Sequence, residues 1–193
     1  MSDTSPLHVA IIIGSTRAGR FGPVVATWFA GHAARYADMT ADVIDLRDTR
    51  LPDTLVDEGD EIPEPVRALA PRLAAADAFV VVTAEYNHSF PAPLKTAIDW
   101  FVDEWRAKPV GFVSYGGVSG GLRAVEQLRL VFAELHATTV RDTVSFHSCW
   151  EKFDDGRPVD AAGADAAAKG LLDQLTWWAR ALRDARTTRP YGL

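Results

Sequence analysis

Five short apolar runs recur along this chain, and each gives way to a glycine turn or polar loop ahead of a stretch with helical spacing. The runs are "LHVAIII" at 7–13, "ADVIDL" at 41–46, "AFVVVT" at 78–83, "KPVGFVSYGG" at 108–117, and a fifth within 139–146. The first is rich in β-branched residues, the pattern of a strand buried on both faces, and the third is the most continuous strand signal in the chain. Helical spacing follows from Gly22 to Tyr36, where Val25, Trp28, Phe29 and Ala33 recur and Pro23 sits in the first turn. It returns at 63–77, Pro93 to Trp105, Leu122 to His136, and about Ala161 to Arg183. Pro71 lies inside the second of these helices, which predicts a kink or a break there. A polar, acid-bearing loop is expected from about Arg47 to Ile62.

Strands that alternate with helices build an open parallel sheet covered on both faces. Right-handed crossovers leave few topologies, and five strands favour the flavodoxin-like order 2-1-3-4-5. The chain has 193 residues, enough for one well-buried domain, so 1–193 is read as a single unit. In such a sheet ligands bind beyond the carboxyl ends of the strands, where the order reverses between strands 1 and 3. The unusual residues should therefore follow strands 1, 3 and 4.

The bulk charge narrows the partners. A formal net charge of -6 supplies no cationic stripe for nucleic acid, although a local positive pocket remains possible. Cys149 is the single cysteine, so no internal disulfide can form, and His147 with Cys149 is too small a set for a metal. No apolar window approaches the length of a membrane span, and no leader pattern opens the chain, so a cytoplasmic protein is expected.

Strand 1 runs into Gly14-Ser15-Thr16-Arg17-Ala18-Gly19-Arg20-Phe21-Gly22. The spacing matches neither G-x-x-x-x-G-K-[ST] nor G-x-G-x-x-G. What remains is a hydroxyl-rich loop that enters a helix N-terminus, where amides and the helix dipole favour an anion. Ser15 and Thr16 add hydroxyls, and Arg17 can grip an oxyanion bidentately. Arg20 either joins it or lies on the surface. A terminal monophosphate suits these parts better than a pyrophosphate, yet the loop alone fits equally a polar connection with two solvated arginines. After strand 3 come Glu85, Tyr86, Asn87, His88 and Ser89, with rings and amides fit for the edge of a planar heterocycle. The alternative there is that Glu85 and Asn87 cap the next helix. After strand 4, Ser114 and Tyr115 precede the pairs Gly116-Gly117 and Gly120-Gly121, which let backbone approach a ligand or simply turn.

Together "GSTRAGRFG", "EYNHSFPAPLKTAIDW" and "SYGGVSGGLRAVEQLR" resemble the NADPH-dependent FMN reductase family, which includes quinone, azo-dye and chromate reductases. The resemblance spans residues 7–155 or so, and the middle motif is the most specific. It implies that Ser15 to Gly22 (Ser15, Thr16, Arg17, Ala18, Gly19, Arg20, Phe21, Gly22) hold the FMN phosphate. It implies further that Glu85, Tyr86, Asn87 and His88 line the ring and ribityl chain, while Ser114, Tyr115, Gly116 and Gly117 flank the isoalloxazine. Two positions depart from the family: Ala84 stands where proline is common, and Arg20 where many members carry a small hydroxyl residue.

The resemblance also implies NADPH or NADH as co-substrate, bound FMN, and a small acceptor: a quinone, an azo compound, a metal oxyanion or free flavin. Turnover would be ping-pong, with no metal and no side chain acting as nucleophile. A homodimer or homotetramer is implied, for which Trp100, Phe101 and Trp105 are either an interface or core. The rival reading is an FMN-binding electron carrier or regulatory protein without turnover.

Overall fold

The computed structural model describes residues 5–57 and 59–192. Five parallel strands, β1 (Leu7–Ile13), β2 (Met39–Asp45), β3 (Ala78–Ala84), β4 (Pro109–Tyr115) and β5 (Thr138–Phe146), pair in the order β2-β1-β3-β4-β5. The flavodoxin-like order expected from the sequence is the one observed. Burial explains which strands are central. Every residue of β3 and β4 is buried, as is all but one of β1, whereas β2 and β5 mix buried with exposed positions. Apolar continuity thus fixes the centre, and charged residues such as Asp42 and Arg141 mark the edges.

Helices α1 (Gly22–Ala33) and α6 (Ala161–Thr188) cover one face of the sheet, around Val25, Phe29, Leu171 and Leu175. On the other face lie α3 (Glu64–Ala75), α4 (Ala92–Trp100) and α5 (Leu122–Glu134), around Leu69, Leu94, Ile98 and Leu128. Between β2 and α3 the expected loop contains a four-residue helix, α2 (Leu46–Thr49), with the Asp45 carboxylate accepting from the Arg47 amide. A small hairpin, β6 (Phe153–Asp154) with β7 (Arg157–Pro158), precedes α6 and was not expected. Among the described residues no helix is long and apolar enough to cross a membrane.

Two expectations need correction, and one open alternative is settled. Pro71 does not break its helix: α3 runs unbroken from Glu64 to Ala75. Pro71 is on the exposed side, so the carbonyl it leaves without a donor can take water, while Val66, Leu69 and Leu73 anchor the opposite face. The helix expected to reach Trp105 stops at Trp100, because Phe101 turns extended and buries its ring. A separate 3-10 turn, Asp103–Trp105, then sets the Trp105 ring 4.5 Å from that of Phe79 and 5.4 Å from Phe132. Phe101 and Trp105 are therefore core, not interface. Trp100 is half-buried, with its indole donating to the Pro52 carbonyl.

At the amino ends of the strands, Lys108 is buried. Its Nζ donates to the Leu73 and Ala74 carbonyls at 3.1 and 2.9 Å, closing the end of α3. Burial pushes the Lys108 pKa down to about 8, helped by Arg186 and opposed by Asp77 and Glu104. A folded pKa below the unfolded one means the burial penalty is complete below about pH 8 and lifts as pH rises toward the unfolded value. The stability of wild type relative to Lys108→Met should therefore climb by about 2–3 kcal/mol between about pH 7 and about pH 10. Denaturant melts at the two pH values measure it, and a difference that does not change with pH contradicts it.

Candidate functional site

Loop 15–21 begins where β1 gives its last ladder bond, from the Gly14 amide to the Val82 carbonyl at 2.9 Å. Ser15 then turns inward: it is fully buried and its Oγ lies 2.8 Å from the Tyr115 hydroxyl. Gly22 seats α1 against this pair, since a Cβ there would stand 2.8 Å from Ser15 Oγ and 2.9 Å from the Tyr115 hydroxyl. Phe21 caps α1 without a side-chain bond and lays its ring against Tyr115 and Phe153. Between these anchors, the amides of Thr16, Arg17, Ala18 and Gly19 donate to no protein acceptor among the described residues. Four unclaimed N–H groups beside a helix start make an anion cradle.

The two arginines of the loop part company. Arg17 is exposed, makes no ion pair among the described residues, and holds its guanidinium 5.6 Å from the centroid of the Tyr86 ring. Arg20 turns the other way and pairs with Asp45 at the end of β2, its side chain nearly buried. The pairing of Ile13 with Asp45 across β1 and β2 brings that carboxylate beside the loop.

After β3, Tyr86 and Ser89 exchange backbone bonds at 2.8 and 3.0 Å, closing a tight turn. Its two central residues, Asn87 and His88, have φ of 50° and 75°, left-handed values that non-glycine residues seldom take. Gln127 of α5 clamps the turn. It donates to the His88 carbonyl at 2.8 Å and accepts from the Ser89 hydroxyl at 2.6 Å. The side chains and amides of Asn87 and His88 are left without protein partners among the described residues. Glu85 faces elsewhere: its carboxylate accepts from the amide and guanidinium of Arg123, each at 3.2 Å, in the first turn of α5. Burial pushes the Glu85 carboxyl up, but hydrogen bonds from Ser119 and Arg123 outweigh it and hold its pKa below the ordinary value. Glu85 thus caps a helix, though α5 rather than the next one in sequence.

After β4, Ser114 is buried and donates to the Gly120 carbonyl at 2.8 Å. Burial pushes the Tyr115 phenol up to about 12, so it stays a neutral hydrogen-bonding group. The Gly116 and Gly117 carbonyls accept from the amides of Cys149 and Ser148, at 3.0 and 2.8 Å. That bond pair fixes the segment after β5 and stands Trp150, an exposed aromatic, 3.7 Å from where a Gly117 Cβ would be. Gly120 and Gly121 serve the protein's own packing, against β5 and β4 respectively.

The structure thus gathers Thr16, Arg17, Ala18, Gly19, Tyr86, Asn87, His88, Gly116 and Gly117 as accessible groups at the carboxyl edge of β1, β3 and β4. Ser15, Arg20, Phe21, Gly22, Glu85, Ser114 and Tyr115 brace that edge from behind. The sequence reading missed Asp45, Arg123, Gln127 and Trp150. Of these, only Asp45 had a legible signal, its place at the end of a strand next to β1. The accessible set fits a phosphate monoester joined to a planar ring: a cradle of amides with one free guanidinium at one end, an aromatic and paired glycines at the other.

Residues 7–151 match a family model described as NADPH-dependent FMN reductase. An NAD(P)H-dependent FMN reductase of Schizosaccharomyces pombe is 37% identical over 121 residues, a match that covers 58% of this chain and 60% of that protein. The quinone reductase of Escherichia coli is 32% identical, with 88% of this chain and 90% of that one covered. Among solved structures, FerB, a flavoenzyme NAD(P)H:(acceptor) oxidoreductase from Paracoccus denitrificans, superposes with a TM-score of 0.73 at 23% identity, covering 89% and 97% of the two chains.

Proposed function

The chain belongs to the NADPH-dependent FMN reductase family, and on that premise we propose that it binds FMN at the carboxyl edge and passes electrons from NADPH to a quinone-type acceptor. The observation that carries the reading is the set of four unclaimed amides at Thr16 to Gly19 beside the unpaired Arg17. These groups take the terminal phosphate. Tyr86, Asn87 and His88 line one side of the ring and Gly116 with Gly117 the other. When bound, FMN supplies the two-electron chemistry, taking hydride from the nicotinamide and passing the electrons on.

The protein's own part is placement. Gln127 and the Tyr86–Ser89 bonds hold the turn that carries the free amides of Asn87 and His88. The Ser15–Tyr115 bond and the Glu85–Arg123 pair fix the three loops to one another, so that little reorganisation is needed on binding. Glu85 and Tyr115 are engaged in those contacts, and neither is free to move a proton.

Titration of the apoprotein with FMN, followed by NADPH oxidation with a benzoquinone, tests the proposal. Parallel double-reciprocal lines are expected, because donor and acceptor use the same site in turn. Bound FMN with no turnover would replace the enzyme by an electron carrier, and failure to bind FMN would defeat both.

A further inference from the structure

We infer that the segment after β2 forms a second phosphate site, beside the first, which takes the 2′-phosphate of NADPH; this rests on the reading above that the edge oxidises a nicotinamide nucleotide. A cavity of about 290 Å³ lies on the β2 side of Thr16, with Arg47, Arg50, Asp53, Pro93 and Thr96 in its walls. Thr16 therefore belongs both to the loop proposed for the flavin phosphate and to this cavity, so the two are adjacent.

Charge makes the cavity distinctive. The chain has 26 acidic residues against 20 basic ones, and many of its arginines are tied to carboxylates: Arg72 to Asp42, Arg123 to Glu85, Arg180 to Asp38. Arg47 and Arg50 have neither an ion pair nor a side-chain hydrogen bond among the described residues, a state they share with Arg17 across the loop and with Arg157 and Arg189, neither of which lines this cavity. Asp53, the one acid in the cavity wall, leaves both guanidinium groups unpaired. Arg50 is also held with φ 51° and ψ 45°, a left-handed backbone that asparagine or glycine would adopt with less strain.

The adjoining carboxylate supports the same assignment. Free arginines attract a phosphate best where the nearest acid, here the one at the end of β2, is already paired. That acid, Asp45, is occupied by Arg20 on one oxygen and the Arg47 amide on the other. Its charge is thereby screened from an incoming phosphate, and two free arginines follow it. Arg20 thus acts as a positioning residue that neutralises Asp45, while Arg47 and Arg50 contact the nucleotide. With the nicotinamide laid against the flavin ring that 86–88 and 116–117 hold, the adenosine end extends past Thr16 into the cavity.

Calorimetric titration of the FMN-loaded protein with adenosine 2′,5′-bisphosphate, against 5′-AMP, tests this without turnover. Wild type should prefer the bisphosphate by about tenfold or more, as charge-assisted bonds allow, and Arg47→Ser/Arg50→Asn should abolish the preference. In steady state the double variant should lose about 10- to 100-fold in kcat/KM for NADPH, mainly through KM, and keep its value for NADH. An unchanged ratio of the two nucleotides overturns the inference. So does a loss of FMN affinity, which would assign these arginines to the flavin phosphate. If wild type prefers the bisphosphate yet oxidises neither nucleotide, the phosphate site stands and the reductase reading falls.

Discussion

Gly121→Ala should lower the stability of the protein by at least about 3 kcal/mol, the sum of a backbone and a steric penalty. Gly121 has φ of 89°, where any L-residue is strained. Its added Cβ would stand 2.6 Å from the Ser114 Cβ and 2.9 Å from the Tyr115 amide nitrogen. Neither neighbour can yield: both belong to β4, which is paired with β3 on one side and β5 on the other. The natural comparison is Gly19→Ala, at φ of 65° with nothing within 4 Å of the new Cβ. That variant carries the backbone penalty alone and should cost only about 1 kcal/mol. Urea unfolding of both measures the contrast, and in heat the first should melt roughly 6–12 °C below wild type. If the two variants are equally stable, the close approach of Gly121 to β4 is wrong.

Such contacts explain what could and could not be seen in the residues alone. Strand identity was legible because burial on both faces leaves a continuous apolar run, as in Ala78 to Ala84, and the position proposed for the site follows from the order of the strands. The three loops were legible because each departs from the short turn a plain connection would use. The direction of the side chains was not. Ser15 meets Tyr115 across 100 positions, Glu85 meets Arg123 across 38, and Arg20 meets Asp45 across 25. No local spacing encodes such pairs, since each depends on the sheet having formed. The same limit applies to Phe101 and Trp105, whose i, i+4 spacing suggests one helix face although the chain buries them from two separate segments.

Arg17→Ala should weaken FMN binding about 30-fold, equivalent to roughly 2 kcal/mol for a charge-assisted contact. Arg20 cannot substitute for it, because Asp45 already holds that guanidinium. The loop must then attract a dianion to a protein of net charge -6 with its amides alone. Arg17→Lys separates charge from geometry: it keeps the attraction but loses the planar fork, so an intermediate loss of about fivefold is expected. Because Arg17 is exposed and its side chain makes no hydrogen bond or ion pair among the described residues, the apoprotein should melt as wild type does, and any loss of affinity then reads on the phosphate contact. Raising ionic strength should weaken wild-type binding more than that of the alanine variant, since only the former has this charge to screen. Quenching of flavin fluorescence on binding gives each constant. Wild-type affinity in Arg17→Ala would move the phosphate away from this loop, and the proposed orientation of the ring along the edge would fall with it.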